Sequence, residues 1–217
     1  MSSTLGTLFL IPNTLGDDSR VEQLPWVLPS ETIVQTAKLT NWIVEDAKTA
    51  RAFLKAVDSV SPLACTIQEM QMSEWRGVAR NAKYGDAVKP LDLLKPLIAG
   101  KDMGLMSEAG VPGVADPGAE LVLAAHKLGA KVKPLVGPSS ILLGLMASGL
   151  NGQRFAFQGY VPHDAQDRIA RLKQLEVESR KLQQTQIWIE TPYRNTAMLM
   201  ACLNALSPQS LLCLGMD

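Results

Sequence analysis

Met106-Ser107-Glu108-Ala109-Gly110-Val111-Pro112-Gly113-Val114-Ala115-Asp116-Pro117-Gly118 is the stretch that decides the fold class, read together with Val136-Gly137-Pro138-Ser139-Ser140 further on. Each loop follows a strand-like apolar run, Met103-Gly104-Leu105-Met106 for the first and Lys131–Val136 for the second. Loops of small residues and prolines between apolar strands and helices are where an α/β protein lets its backbone approach a ligand. Each also ends in a helix-start signal: Asp116 or Gly137 is placed to cap, and Pro117 or Pro138 to open the helix where a missing N–H costs nothing. Two such junctions on neighbouring strands would face one edge of a sheet, the edge at which open α/β sheets bind ligands.

Outward from these loops the pattern alternates strand and helix almost throughout, which predicts an α/β fold. Strands are expected at Thr7–Ile11, Asn41–Val44, Cys65–Glu69, Met103–Ser107, Val132–Val136, Phe155–Gly159, Thr185–Glu190 and Leu211–Leu214. Helices are expected at Thr32–Ala37, Thr49–Val57, Pro90–Ala99, Ala119–Leu128, Ser139–Ala147, Gln166–Glu178 and Arg194–Leu206. The turn chemistry of Ser148-Gly149-Leu150-Asn151-Gly152-Gln153 reads as a hinge, dividing the chain into domains 1–148 and 149–217; one continuous sheet with a surface loop there is the alternative. A second α/β domain ending at Leu214-Gly215-Met216-Asp217 is short of strands, and so reads as incomplete or lacking a last hairpin.

With 217 residues, 47% of them hydrophobic, the chain can bury one large or two modest cores. Lys plus Arg and Asp plus Glu balance at 21 each, so this is not a generic polyanion binder, although a local basic patch remains open. Cys65, Cys202 and Cys213 are scattered without a CxxC pair and read as free thiols of a reducing compartment. His126 and His163 have no metal-ligand spacing, so no metal is expected. Met1–Leu5 does not open a signal peptide, and the apolar stretch Ile141–Gly149 is too short to span a bilayer. A soluble, cytoplasmic protein without membrane association is expected.

Three common catalytic templates are missing. There is no GxxxxGK[ST], no GxSxG, and no GxGxxG after the first strand, where Pro12-Asn13-Thr14-Leu15-Gly16-Asp17 stands instead. What remains is a site of backbone amides, small hydroxyls and a few carboxylates. That suits a zwitterionic or nucleoside-like ligand better than metal-assisted or nucleophilic catalysis.

The two loops resemble the paired signature of the tetrapyrrole-methylase-like, class III S-adenosylmethionine-dependent methyltransferases. Further matches are Ile43-Val44-Glu45-Asp46 with Arg51, Ala147-Ser148-Gly149-Leu150, Arg154–Pro162 and Ile189-Glu190-Thr191-Pro192-Tyr193-Arg194, in the family's order from about Leu8 to the end. Within that superfamily the chain is most similar to the ribosomal small-subunit methyltransferase I branch, whose members 2′-O-methylate a cytidine of small-subunit ribosomal RNA. The resemblance implies two α/β domains with S-adenosylmethionine in the cleft between them, usually in a homodimer, and ribosomal RNA or the small ribosomal subunit as partner. Carried over residue by residue, it implies donor contacts at Pro12, Glu108, Val111, Ser139, Ser140, Ile141 and Glu190. The chain departs from the family at Glu108, where Asp is usual, in the first loop, and in the run after Glu45-Asp46.

Several of these residues carry two readings at this point. Glu45 and Asp46 follow a buried strand and are either a capping pair or the general base that a ribose hydroxyl requires. Arg194 lies in the first turn of a helix, where a cation is disfavoured, which points to a substrate phosphate or to a salt bridge with Glu190. Asp116 reads as a structural cap. For the whole chain the rival readings are a small-molecule (corrinoid or tetrapyrrole) methyltransferase and a noncatalytic cofactor-binding module.

Overall fold

The computed structural model describes residues 4–16, 23–77 and 89–215. By internal contacts the chain falls into two units, Met1–Ser139 and Ser140–Asp217. Asp17 of the first loop, Met216 and Asp217 lie outside the described residues.

In the first unit, strands β1 (Thr7–Leu10), β2 (Asn41–Val44), β3 (Gln71–Glu74), β4 (Met103–Met106) and β5 (Lys131–Pro134) form one sheet in the order β3-β2-β4-β1-β5. All four pairings are parallel. The chain is therefore α/β, as its alternation predicts. The central strands β2 and β4 are buried at every position because helices cover both faces of a parallel sheet. Around them are α1 (Leu24–Val27), α2 (Ser30–Ala37), α3 (Ala47–Val60), α4 (Pro90–Leu93), α5 (Lys95–Ile98) and α6 (Ala119–Lys127). One core joins Phe9, Trp42, Phe53, Leu54 and Val57; the other joins Leu8, Ile43, Leu97, Leu105 and Leu121.

Gly104 has a packing reason. It sits opposite Trp42 in the ladder, and a Cβ there would lie 2.4 Å from Trp42 Cζ3 and 2.5 Å from Cε3. Trp42 is only 1% exposed and its indole N–H donates to the Leu39 carbonyl, so the ring cannot step aside. Gly104→Ala is expected to destabilise the fold by about 1–3 kcal/mol, the usual range for overpacking, measured as a lower urea midpoint at unchanged slope.

Three expectations are corrected. Cys65–Glu69 is not a strand: the Thr66 hydroxyl and amide both donate to Glu69 Oε2, at 2.7 and 3.0 Å, and close a local turn instead. The strand follows as the polar β3, an exposed edge whose pairing with β2 no apolar pattern announces. Leu211–Leu214 has no regular structure, and Pro90–Ala99 breaks into two short helices, α4 and α5, the second with Pro96 in its first turn.

In the second unit α7 (Ser140–Ser148) precedes β6 (Phe155–Tyr160), α8 (Ala165–Leu182), β7 (Thr185–Ile189), a 3-10 turn (Pro192–Arg194) and α9 (Asn195–Ala205). β6 and β7 pair in parallel, with a register shift between Phe157 and Tyr160 where Gly159 takes a φ of +67°. Asp164 caps α8 by accepting from the amides of Gln166 and Asp167. Val161, Leu172, Met198, Ala201, Cys202 and Ala205 form the core of this unit. No helix among the described residues is long and apolar enough to cross a membrane.

Candidate functional site

The strand order locates a site before any side chain is considered. The chain leaves β1 toward β2 and leaves β4 in the opposite direction, across β1, to β5. Neighbouring strands whose connections run in opposite directions mark a switch point, and open α/β sheets take ligands at the carboxyl ends of such strands. The loops after β1 and β4 meet there. The Asn13 amide donates to the Gly110 carbonyl at 2.8 Å, and the Gly110 amide donates to the Thr14 carbonyl at 3.2 Å. The buried Asn13 side chain donates to the Glu108 carbonyl at 2.8 Å and to the Ser107 carbonyl at 3.4 Å. The loop after β5 closes the other side, where a Cβ on Gly137 would lie 2.3 Å from Pro12 Cβ and Cγ. Pro12, Glu108, Val111 and Ser139 are thus on loops of one sheet edge, with Pro12 buried, Val111 and Ser139 half-buried and Glu108 exposed.

The helix-start reading of these loops needs correction. α6 takes Gly118 as its N-terminal flanking residue, without a side-chain cap, and α7 begins at Ser140. Asp116 and Gly137 therefore do not cap, and Pro117 and Pro138 lie outside the helices they were expected to open. The loop spends its residues on curvature instead: Gly110, Gly113, Ala115 and Gly118 all have positive φ, and Ala115 at +66° adopts a conformation that a side chain disfavours.

Glu45 and Asp46 separate sharply. Asp46 is a working cap: its Oδ1 accepts from the amides of Lys48 and Thr49 at 2.9 and 3.0 Å, and its Oδ2 lies 3.0 Å from Arg76 Nη2. The Thr49 amide first, then the Lys48 amide and the Arg76 charge, hold its carboxyl below the ordinary 3.8. The contribution is thus present above that value and lost as the pH falls through the lower folded one. Asp46→Ala is expected to cost about 1 kcal/mol at pH 7 and progressively less as the pH falls below the ordinary value, read from urea midpoints along a pH series.

Glu45 faces the other way. Its Oε2 accepts from the Glu108 amide at 3.3 Å, while burial, and then the charges of Asp116 and Glu108, push its carboxyl above the ordinary 4.5. Asp116 is raised likewise, first by burial, against the opposing effect of the Ser107 hydroxyl. That hydroxyl is buried at 2% exposure and adjoins the Asp116 carboxyl, yet it lies in no geometry that makes a directed hydrogen bond. For both raised acids the folded state holds the proton more tightly, so their contribution to stability is present at acid pH and lost as the pH rises through the raised values.

Ser140, Ile141, Glu190 and Arg194 belong to the second unit. Ser140 and Ile141 open α7. Glu190 and Arg194 form an ion pair, Nη2 to Oε2 at 3.2 Å, with side chains 8% and 9% exposed; the contact is close but not aligned as a directed hydrogen bond. Arg194 also donates to the carbonyls of Pro162 at 3.1 Å and Val161 at 3.4 Å, and the Thr191 amide donates to Glu190 Oε1. Sequence reasoning missed Asn13, Asp116 as a site residue, and Arg76, which donates to the Glu45 carbonyl at 3.1 Å as well as to Asp46. An Asn inside a Pro/Gly loop was a usable signal; Arg76 had none, because it follows the unannounced strand β3.

No family model matches the chain. Among curated proteins it is similar to ribosomal RNA small subunit methyltransferase I of Vibrio cholerae, 35% identical over 57% of this chain and 41% of that protein. The namesake of Pseudomonas aeruginosa is 40% identical over 45% of this chain and 33% of that protein. That of Bacillus subtilis is 27% identical over 96% of this chain and 63% of that protein. The chain therefore spans less than two thirds of the length of each of these relatives. These matches bear out the resemblance carried by the loops: the chain is similar to proteins named ribosomal RNA small subunit methyltransferase I.

Proposed function

We propose that this protein is an S-adenosylmethionine-dependent methyltransferase that 2′-O-methylates a ribose of small-subunit ribosomal RNA, acting in the cytoplasm as a homodimer. The observation that carries the reading is the meeting of the loops after β1 and β4 at the carboxyl ends of neighbouring strands, taken with the similarity to the named relatives. The residues fit such a donor. The Gly137–Pro12 approach brings backbone close on one side, and the buried Ser107 hydroxyl lies against the Asp116 carboxyl on the other. Pro12, Glu108, Val111 and Ser139 would hold the donor in the first unit; Ser140, Ile141 and Glu190 are donor contacts that the family resemblance alone implies. The bound donor supplies an already activated sulfonium methyl group.

The protein's own part is to align the reactants, exclude water and take one proton. As the new O–CH3 bond forms and the S–CH3 bond breaks, the ribose 2′-O–H proton must pass to a base. Glu45 suits this better than Asp46, whose oxygens are committed to the α3 amides and Arg76. Arg194 is the second unit's candidate for a phosphate of the RNA, although its guanidinium already holds Glu190 and two carbonyls.

Calorimetric titration with S-adenosylmethionine and S-adenosylhomocysteine tests the donor, and methylation of hypomethylated small ribosomal subunits tests the substrate. Micromolar binding and salt-sensitive methylation of the subunit are expected, since phosphate contacts weaken with salt. Absence of binding at millimolar ligand would remove the reading.

A further inference from the structure

Two buried arginines of the second unit converge on one short segment, and only one of them has a carboxylate. Arg194 donates to the carbonyls of Val161 and Pro162 and pairs with Glu190. Arg168 reaches back from the start of α8 to the next carbonyl, that of His163, at 3.4 Å. It is 9% exposed, forms no ion pair among the described residues, and its Nε is closed to solvent without an acceptor. Asp164 is near enough for the two charges to act on each other, but its Oδ1 is taken by the amides of Gln166 and Asp167. A buried charge is ordinarily paired, and a cation at the start of an 18-residue helix also opposes the helix dipole. An anion beside Arg168 removes both costs.

The place is the carboxyl edge of a parallel strand pair. Tyr160 stands opposite Ile189 in the ladder, so the segments that follow, 161–164 and 190–194, leave the sheet side by side. Open α/β sheets take ligands at this edge. Two aromatic rings stand at it in water, Tyr160 at 56% and Tyr193 at 78% exposure. Exposed rings beside a cation are the parts from which single-stranded nucleic acid is bound, because every unpaired base presents a π-face and every residue a phosphate. A duplex keeps its bases stacked inside and offers the rings nothing. We propose that the carboxyl edge of β6 and β7 seats an unpaired stretch of RNA, with a backbone phosphate against Arg168 and bases stacked on Tyr160 and Tyr193. The inference rests on the proposed function and names the part of the substrate that the second unit takes. Arg194 has its hydrogen bonds committed and holds the two segments together; Arg168 has capacity unspent.

The test is fluorescence anisotropy with a labelled oligouridine of about ten nucleotides, free and annealed to its complement, titrated with wild type, Tyr160→Ala, Tyr193→Ala and Arg168→Gln. Wild type is expected to bind the single strand more tightly than the duplex. Each tyrosine variant should bind the single strand roughly tenfold more weakly and the duplex as wild type does, since a lost ring costs only stacking. Arg168→Gln should lower the slope of log affinity against log salt by about 0.7, the share of one phosphate on a single strand. Equal affinity of wild type for the two forms overturns the inference, as do tyrosine variants that bind like wild type or an unchanged slope in a folded Arg168→Gln. The tyrosine variants decide even if Arg168→Gln does not fold. Binding of S-adenosylhomocysteine by wild type is measured alongside by calorimetry. Donor binding without RNA binding overturns the inference and leaves the methyl-donor reading standing, and failure of both overturns both.

Discussion

Glutamine in place of Glu45 is expected to slow methyl transfer by about a hundredfold or more, the range of a lost general base, while the protein stays folded and still binds S-adenosylhomocysteine. The substitution keeps the side chain's size and an oxygen able to accept from the Glu108 amide, the one hydrogen bond seen at 3.3 Å. What it removes is the capacity to take a proton. Because burial and like charge raise Glu45, the wild-type rate should climb from acid toward neutral pH, with its midpoint shifted upward from the ordinary 4.5. The glutamine variant should lose that limb. Stability should shift the opposite way to rate: removing a raised acid relieves repulsion, so the variant should be slightly more stable than wild type at pH 8 and indistinguishable at pH 3. Single-turnover rates on hypomethylated subunits and urea unfolding at both pH values make the comparison. A variant with wild-type rate would take the base away from Glu45.

Arg194→Met should have the largest effect on stability, about 3–5 kcal/mol, because it strands the Glu190 carboxylate in a site where both side chains are nearly closed to solvent. The pair also ties segments distant in sequence, since Arg194 reaches the Val161 and Pro162 carbonyls just after β6. Cutting it loosens the junction between β6 and the start of α9, inside a unit whose sheet has two strands. Replacing both partners, Glu190→Gln with Arg194→Met, should recover much of the loss, since the unpaired charge rather than the missing attraction is the main cost. Urea unfolding of the single and double variants supplies the three free energies. A single variant within about 1 kcal/mol of wild type would contradict the argument and free Arg194 for the phosphate role.

The loops were legible in the sequence because their chemistry is local. Glycines, prolines and small residues after an apolar run restrict the backbone over a few residues, and the motif order carried the family resemblance that the relatives bear out. The strands that were read correctly, such as Asn41–Val44 and Met103–Met106, are those buried on both faces, where an apolar run is required. The edge strand β3 escaped because an exposed edge tolerates Gln-Met-Ser-Glu, while Cys65–Glu69 looked like a strand and was diverted by one threonine and one glutamate.

The sequence by itself therefore determined the α/β class, the positions of the loops after β4 and β5 and the similarity to the named methyltransferases. Tertiary structure alone decided what the neighbouring carboxylates do. Glu45 and Asp46 are adjacent and chemically similar, yet one meets the amides of its own helix and the other an amide 63 residues away. It also decided that Asp116 is no cap and that Arg194 is buried against Glu190. The physical reason is range. Backbone propensity acts over a few residues, whereas proton affinity and ion pairing depend on desolvation and on charges that only the strand order brings together.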